Sequence, residues 1–389
     1  GHGIMTDLVV LQTGSSGYIA PMREQLVEML HDAGAHEMLG RDGGIHLVTA
    51  DQTGAGHARL VEAAAHVVLD AAAGPLSSQL AALDADVVES PRFEATVPAD
   101  HAPPPASRLP DDVLLRNGFG GFAEGGEEYV VRADPADPTP APWANVLAND
   151  GFGTIVTEAG LGWTWALNSG ENRLTPWHND PVADPQSEAL YLRDEESAAV
   201  WTPTPLPAGN ACIVRHGAGY TLWQGEANGL EQELVVFVPT DDPVKLVRLR
   251  LKNPESRPRR VTATYSAEWL LSAVKGRANP LLAAYYDADA HALMAQNRWN
   301  GEFADRVAFL TSTLPPHSLT TSRSDFLGPD SDPRLPEALR RWDLGGRLES
   351  TCDCGAAFQV HLDIGPGGTA EVAFVLGQGE DRDRARTLA

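Results

Sequence analysis

The sequence predicts a mainly β protein, a large antiparallel β-sandwich preceded by a small α/β segment. Three observations carry that prediction. Helical periodicity is confined to residues 7–86, whereas from Asp112 onward apolar residues recur at every second position. Between them, ATVPADHAPPPASRLPD at 95–111 mixes Pro, Ala and polar residues without a period, as an extended linker does. Clusters of Gly, Pro, Asn and Asp punctuate the period-two region at the density expected of many short strands.

The expected organisation is therefore a small α/β segment over 1–94, a Pro-rich linker over 95–111, a β-sandwich over 112–380 and the start of a helix over 381–389. In the first segment DLVVLQT reads as a strand and REQLVEMLHDAG as a helix closed by Gly34. IHLVTAD then reads as a second strand and HARLVEAAAHVVLDAAAG as a second helix. The Gly-rich GFGGFAEGG at 118–126 precedes a strand, so no helix N-terminus is available to meet a phosphate and the segment reads as a turn. In VKLVRLRLKN, Val247, Leu249 and Leu251 alternate with Arg248, Arg250 and Lys252. In RRVTATYSAEWLL, Val261, Ala263, Tyr265, Ala267 and Trp269 share one face, opposite Thr262, Thr264, Ser266 and Glu268, as in a half-buried strand. The turn residues NPESRP predict a hairpin joining these two strands, and GPGG predicts another joining FQVHLDI to TAEVAFVLG. Residues 279–345 are less regular and read as a looser insertion.

A chain of 389 residues with 43% hydrophobic content can bury a substantial core in more than one domain. Its formal net charge of −24, with lysine only at 245, 252 and 275, excludes nucleic acid as a partner. The acidic residues are spread along the chain and read as a solvated surface. Cys352 and Cys354 are separated by one residue, which fits neither a disulfide framework nor a zinc or redox motif, so a reducing, cytoplasmic setting is expected. GHGIM lacks the features of a signal peptide and reads as a cloning remnant; no apolar run is long enough to span a bilayer. An inner-membrane-associated parent protein remains compatible with this reading. There is no P-loop, TGSSGY around Ser15 and Ser16 is not a nucleophile elbow, and the twelve histidines lack metal-ligand spacing. No metal and no cofactor is expected.

Six of the nine tryptophans fall between residues 143 and 223, among amides and carboxylates, as in GLGWTWALNSGENRLTPWHNDPVADP. A pyranose offers a C–H face that stacks on indole and a rim of hydroxyls that needs planar amide or carboxylate partners, which makes sugar the ligand to expect. Packing alone is the competing explanation for each Trp. Glycosidic chemistry needs a carboxylic acid at the leaving oxygen, and Glu171, Asp180, Asp184 and Asp194 are the carboxylates to weigh. Asn179-Asp180-Pro181 and Ala183-Asp184-Pro185 are equally good turn formers.

The ordered blocks RNGFGGFAEGGEEYVV, TPAPWANVLANDGFGTIVTEAGLGWTWALNSGENRLTPWHNDPVADP, EALYLRDEESAAVWTPTP and VRHGAGYTLW make residues 111–380 resemble the N-terminal β-sandwich of glycoside hydrolase family 94, formerly glycosyltransferase family 36. The version inside cyclic β-1,2-glucan synthases is the most similar. The resemblance implies a galactose-mutarotase-like superfold that packs on an (α/α)6 barrel, helps build a homodimer and places its loops near the substrate entrance. It also implies that the catalytic aspartate and phosphate site belong to that barrel. The barrel is expected to be missing from a sequence ending at Ala389, so no residue here inherits a catalytic role. Trp163, Trp165, Asn168, Asn172, Arg173, Trp177, Asn179, Asp180 and Asp184 are the implied edge of a glucan site. The expected function is a non-catalytic module of a β-glucan phosphorylase or cyclic β-1,2-glucan synthase type of enzyme, with a β-glucan oligosaccharide and the barrel as partners. A free-standing carbohydrate-binding protein and a self-contained carbohydrate-active enzyme are the alternatives.

Overall fold

A computed structural model of the chain describes residues 7–12, 21–65, 67–85, 90–98, 107–274, 282–348 and 353–389. Ser15 and Ser16, the linker prolines 103–105, Lys275 and Cys352 lie outside the described residues. The chain divides into two compact units, Gly1–Val88 and Glu89–Ala389.

In the first unit β1 (Leu8–Gln12) pairs in parallel with β2 (Ile45–Thr49), and α1 (Pro21–Asp32) lies between them in sequence. Gly34, at φ +67°, follows the end of α1 in the left-handed conformation that glycine adopts without a Cβ clash. The second helix departs from expectation. Instead of running over 57–74, α2 spans Ala50–Ala64, starting directly after β2, and α3 spans Leu76–Ala85. Ala65 is already extended at φ −75° and ψ 134°, and the β-branched pair Val67-Val68 follows it; Gly74 and Pro75 then precede the new helix.

The second unit is β-rich. Its strands open with β3 (Gly120–Phe122), β4 (Glu128–Ala133), β5 (Ala144–Asn149), β6 (Phe152–Thr157), β7 (Trp163–Ala166) and β8 (Glu188–Asp194). They continue with β9 (Val200–Trp201), β10 (Cys212–Gly217), β11 (Tyr220–Ala227), β12 (Leu230–Phe237), β13 (Val244–Lys252) and β14 (Arg259–Glu268). The last are β15 (Leu282–Asp287), β16 (Ala292–Asn297), β17 (Val307–Ser312), β18 (Ser318–Ser322), β19 (Cys354–Ile364) and β20 (Thr369–Gly379). A ten-stranded sheet runs β15-β16-β17-β20-β13-β12-β11-β10-β4-β3, a five-stranded sheet β18-β19-β14-β8-β9 and a three-stranded sheet β5-β6-β7, with antiparallel pairing throughout. One hydrophobic cluster joins the two large sheets: Val247, Leu249, Leu251 and Phe374 from one, and Val261, Tyr265, Phe358 and Val360 from the other. This is the expected sandwich.

Its connectivity differs from the expected hairpins. β13 and β14 lie in different sheets, and so do β19 and β20, so NPESRP and GPGG build arches across the core. The apolar faces of successive strands meet face to face, and hydrogen bonding goes instead between arches, β13 to β20 and β14 to β19. Asn253 locks the two arches together: its Nδ2 donates to Arg257 O at 2.7 Å and Gly365 O at 3.1 Å. Residues 279–345 are not a loose insertion. They supply β15, β16 and β17 to the ten-stranded sheet and β18 to the five-stranded one. The expected half-burial of β14 also needs correcting, because Thr262 and Thr264 on its outer face are both 1% exposed. Tyr191, Phe326, Ala338, Leu339 and Leu344 form a second cluster against Ala189 and Ala357 of the same sheet. Residues 90–94, expected with the first segment, belong to the second unit, where Phe93 N donates to Arg340 O at 2.8 Å. A short α4 spans Arg323–Leu327, and the final segment is helical: α5 spans Arg382–Leu388, capped by Asp381 and joined to the buried Asp287 by Arg382 at 3.0 Å and Arg386 at 2.7 Å. No helix among the described residues is long and apolar enough to cross a membrane.

Candidate aromatic sugar-binding site

The alternation of β7 sends Trp163 and Trp165 to one side and Thr164 to the other. The two indoles lie 5.0 Å apart between ring centroids, and the Trp165 ring occupies the space over Gly153 of β6, where a Cβ would come within 2.3 Å of it. The chain then turns through a loop over 167–173. Asn168 Oδ1 accepts from Gly170 N at 2.8 Å and Glu171 N at 3.0 Å, which closes the turn. Arg173 bridges back to Trp165, so that Trp177 stacks on Trp163 at 5.6 Å with 15° between planes. The Arg173 guanidinium sits 5.7 Å from the Trp163 ring and 5.8 Å from the Trp177 ring, within reach of both π systems.

The structure thus gathers Trp163, Trp165, Arg173 and Trp177. Trp177, 46% exposed, is the outer layer and Trp163, 6% exposed, the inner one. Trp163 Nε1 is buried without a hydrogen-bond partner among the described residues. Asn168 and Asn179 are exposed on turns, whereas Asn172 is buried, its Nδ2 donating to Ala166 O at 3.0 Å and Gln378 Oε1 at 2.8 Å. Asn172 therefore positions the loop. Asp180 Oδ1 accepts from the N–H groups of Val182 at 2.9 Å and Ala183 at 3.1 Å, which lower its pKa. Asp184 faces inward: burial raises its pKa while Thr157 Oγ1 donates to it at 2.6 Å.

The four carboxylates weighed for acid–base chemistry do not converge as an open pair. Asp194 is buried in an ion pair with Arg259 at 2.6 Å, and Glu171 lies on the exposed loop. Glu158, which sequence reasoning missed, is 5% exposed; burial raises its pKa, and the charge of Asp184 pushes the same way. Its oxygens already accept from Thr139 Oγ1 and, at 2.6 Å, from Trp143 N. Both Glu158 and Asp184 hold turns together.

Sequence reasoning also missed the polar group behind β7. Glu188 accepts from Thr164 Oγ1 at 2.6 Å, Thr175 Oγ1 at 2.8 Å, Tyr265 Oη at 2.5 Å and Lys245 Nζ at 2.9 Å. Lys245 also donates to Thr154 Oγ1 at 3.1 Å and Leu161 O at 2.9 Å, and burial lowers its pKa against the pull of Glu188. One signal was available: Lys245 has the same parity as Val247, Leu249 and Leu251. On the outer side of the five-stranded sheet, a recess between Tyr191, Glu268, Arg323 and Phe326 offers about 60 Å³. That holds a few waters and falls short of the ~300 Å³ of small-molecule sites.

Fold and surface cluster together define a β-sandwich module with a solvent-exposed aromatic face. The sequence matches the family described as "Glycosyl hydrolase 94, supersandwich domain" over residues 127–389, and the chain belongs to that family. It is similar to the cyclic beta-(1,2)-glucan synthase NdvB of Rhizobium meliloti (strain 1021), at 35% identity over 71% of this chain and 10% of that one. The N,N'-diacetylchitobiose phosphorylase of Vibrio proteolyticus is 24% identical over 67% of this chain and 34% of its own length. The solabiose phosphorylase of Paenibacillus borealis is 24% identical over 70% of this chain and 36% of its own. The chain thus spans about a tenth of the synthase and about a third of the phosphorylases. Among solved structures, a galactose mutarotase related enzyme from Lactobacillus acidophilus overlaps 62% of this chain and 99% of its own, at 7% identity and a TM-score of 0.35.

Proposed function

We propose that this chain is the non-catalytic sandwich module of an enzyme of the β-glucan phosphorylase or cyclic β-1,2-glucan synthase type, supporting an (α/α)6 catalytic barrel and forming one edge of its glucan site. The observation that carries the reading is the Trp163, Trp165, Trp177 and Arg173 cluster, which has a fixed inner layer and an exposed outer ring. An indole held flat by a second indole and a guanidinium is pre-organised for a pyranose face, because stacking then costs little side-chain entropy. The non-catalytic part rests on the carboxylates near the cluster: Glu158, Asp184 and Asp194 are engaged in holding the fold, and Asp180 and Glu171 are exposed. The synthase and phosphorylase relatives favour a β-glucan as the ligand.

The test is titration of the chain with β-1,2-linked glucooligosaccharides, followed by heat or amide shifts. One edge of a site stacks on one sugar face and leaves most hydroxyls in water, so an affinity of about 1 mM is expected, roughly 4 kcal/mol. The chain should neither release glucose 1-phosphate from these glucans with phosphate nor hydrolyse them. Turnover that disappears in Asp184→Asn would instead establish a self-contained enzyme.

A further inference from the structure

The 167–173 loop has a second side. Leu167 and Asn168 form one wall of an open cleft of about 350 Å³ whose other wall is Glu302, Phe303 and Arg306, from the β16–β17 connection. That volume lies within the ~300–1,000 Å³ of small-molecule sites. The walls are tied together. Asn300 Nδ2 donates to Glu171 O at 3.3 Å, and Gln378 Oε1 accepts from Asn172 Nδ2 at 2.8 Å and from Arg306 Nε at 2.9 Å. These bonds fix the backbone and the inner edge of the guanidinium, yet Asn168 Nδ2 and the terminal nitrogens of Arg306 have no hydrogen-bond partner among the described residues. Phe303 is buried and Leu167 exposed, so the cleft combines an apolar surface with donors from Asn168 and Arg306 and an acceptor from Glu302.

This mixture selects a ligand class. A vicinal diol both donates and accepts, and so satisfies a carboxylate and a guanidinium together. A phosphate satisfies only the donors and is repelled by Glu302, by Glu380 near Arg306 and by the net charge of −24. The same loop holds Arg173 over Trp163 and Trp177. We infer that the cleft is a second sugar subsite, taking a neutral pyranose unit of a glucan chain whose other units lie on the Trp177 face; this rests on the function proposed above.

The experiment compares binding of a β-1,2-linked disaccharide and hexasaccharide to the wild-type chain, Glu302→Ala, Arg306→Gln and Trp177→Ala, with melting curves for each. Glu302 is exposed, so its truncation leaves folding intact. The expected result is a hexasaccharide that binds more tightly than the disaccharide, a roughly five- to tenfold loss of hexasaccharide affinity in Glu302→Ala and Arg306→Gln, and unchanged disaccharide affinity. Wild-type hexasaccharide affinity in both cleft variants, with loss only in Trp177→Ala, would sink the cleft and leave the proposed function standing. Absence of glucan binding by the wild-type chain would overturn both. Displacement of the hexasaccharide by inorganic phosphate or glucose 1-phosphate would overturn the assignment to a neutral sugar.

Discussion

Two clusters lie on opposite faces of β7, and they differ in how completely the fold encloses them. Behind the strand, Thr164 joins Glu188, Lys245, Tyr265 and Thr175, where every oxygen and nitrogen named above has a protein partner. In front of it, Trp163 and Trp165 support Trp177 and Arg173, and an aromatic face stays open to solvent. A buried polar group without partners loses hydration with no return, so the inner cluster must be complete to persist. Among the described residues the outer cluster carries one such group, the buried Trp163 Nε1, while its Trp177 ring stands at the water boundary, where it keeps capacity for a ligand.

The largest expected effect breaks the inner cluster. Glu188→Gln leaves the Lys245 ammonium buried without its counter-ion, and a loss of about 3–5 kcal/mol in chemical denaturation is expected. Joint replacement by Glu188→Leu and Lys245→Met removes both charges and should restore part of that loss. A double variant no more stable than Glu188→Gln would mean that hydrogen bonding to the three hydroxyls, and not charge pairing, is what the cluster supplies.

A smaller effect concerns the attachment of α5. Burial acts to raise the Asp287 pKa, but the guanidiniums of Arg386 and Arg382 outweigh it and hold the group at about 2, against 3.8 unperturbed. Because the folded pKa is the lower one, the stabilisation is fully present above the unfolded value and is lost as pH falls from about 4 through 2. Asp287→Asn should remove about 1–2 kcal/mol at neutral pH and flatten this acid dependence. Hydrogen exchange in α5 reads it directly, and equal acid sensitivity in the variant would assign the loss to other carboxylates.

The smallest change in stability should come from the outer cluster. Trp177→Ala is expected to shift stability by less than about 1 kcal/mol while abolishing the glucan titration signal, since Trp177 is 46% exposed. Truncation of a core tryptophan such as Trp269, 2% exposed, should cost about 3–5 kcal/mol. If Trp177→Ala unfolds the second unit, the aromatic cluster is packing and the contrast across β7 disappears.

Much of this fold was legible because period-two alternation reports directly on burial. Val261, Ala263 and Tyr265 face the core as their spacing requires, whereas the meeting of Trp163, Trp165, Arg173 and Trp177 was not readable from spacing. The arches were not legible, since Val247 to Leu251 and Val261 to Tyr265 would show the same alternation in a hairpin. Nor was the role of Asn172, whose amide meets Gln378 across 206 positions. The second wall of the cleft, Glu302 to Arg306, carries no local pattern that distinguishes it from any other loop.

The sequence alone determined that segments such as β13, β14, β19 and β20 are strands, which of their residues share the core face, and where the tryptophans and amides concentrate, because side-chain periodicity and turn chemistry act over a few residues. Only the tertiary structure decided which strands share a sheet, that Lys245 and Glu188 meet inside the sandwich, and that the 167–173 loop has Arg173 over the indoles and Asn168 in the cleft. Those outcomes depend on contacts between distant segments, where two apolar faces can be buried either side by side or face to face, and total packing of the core selects between them.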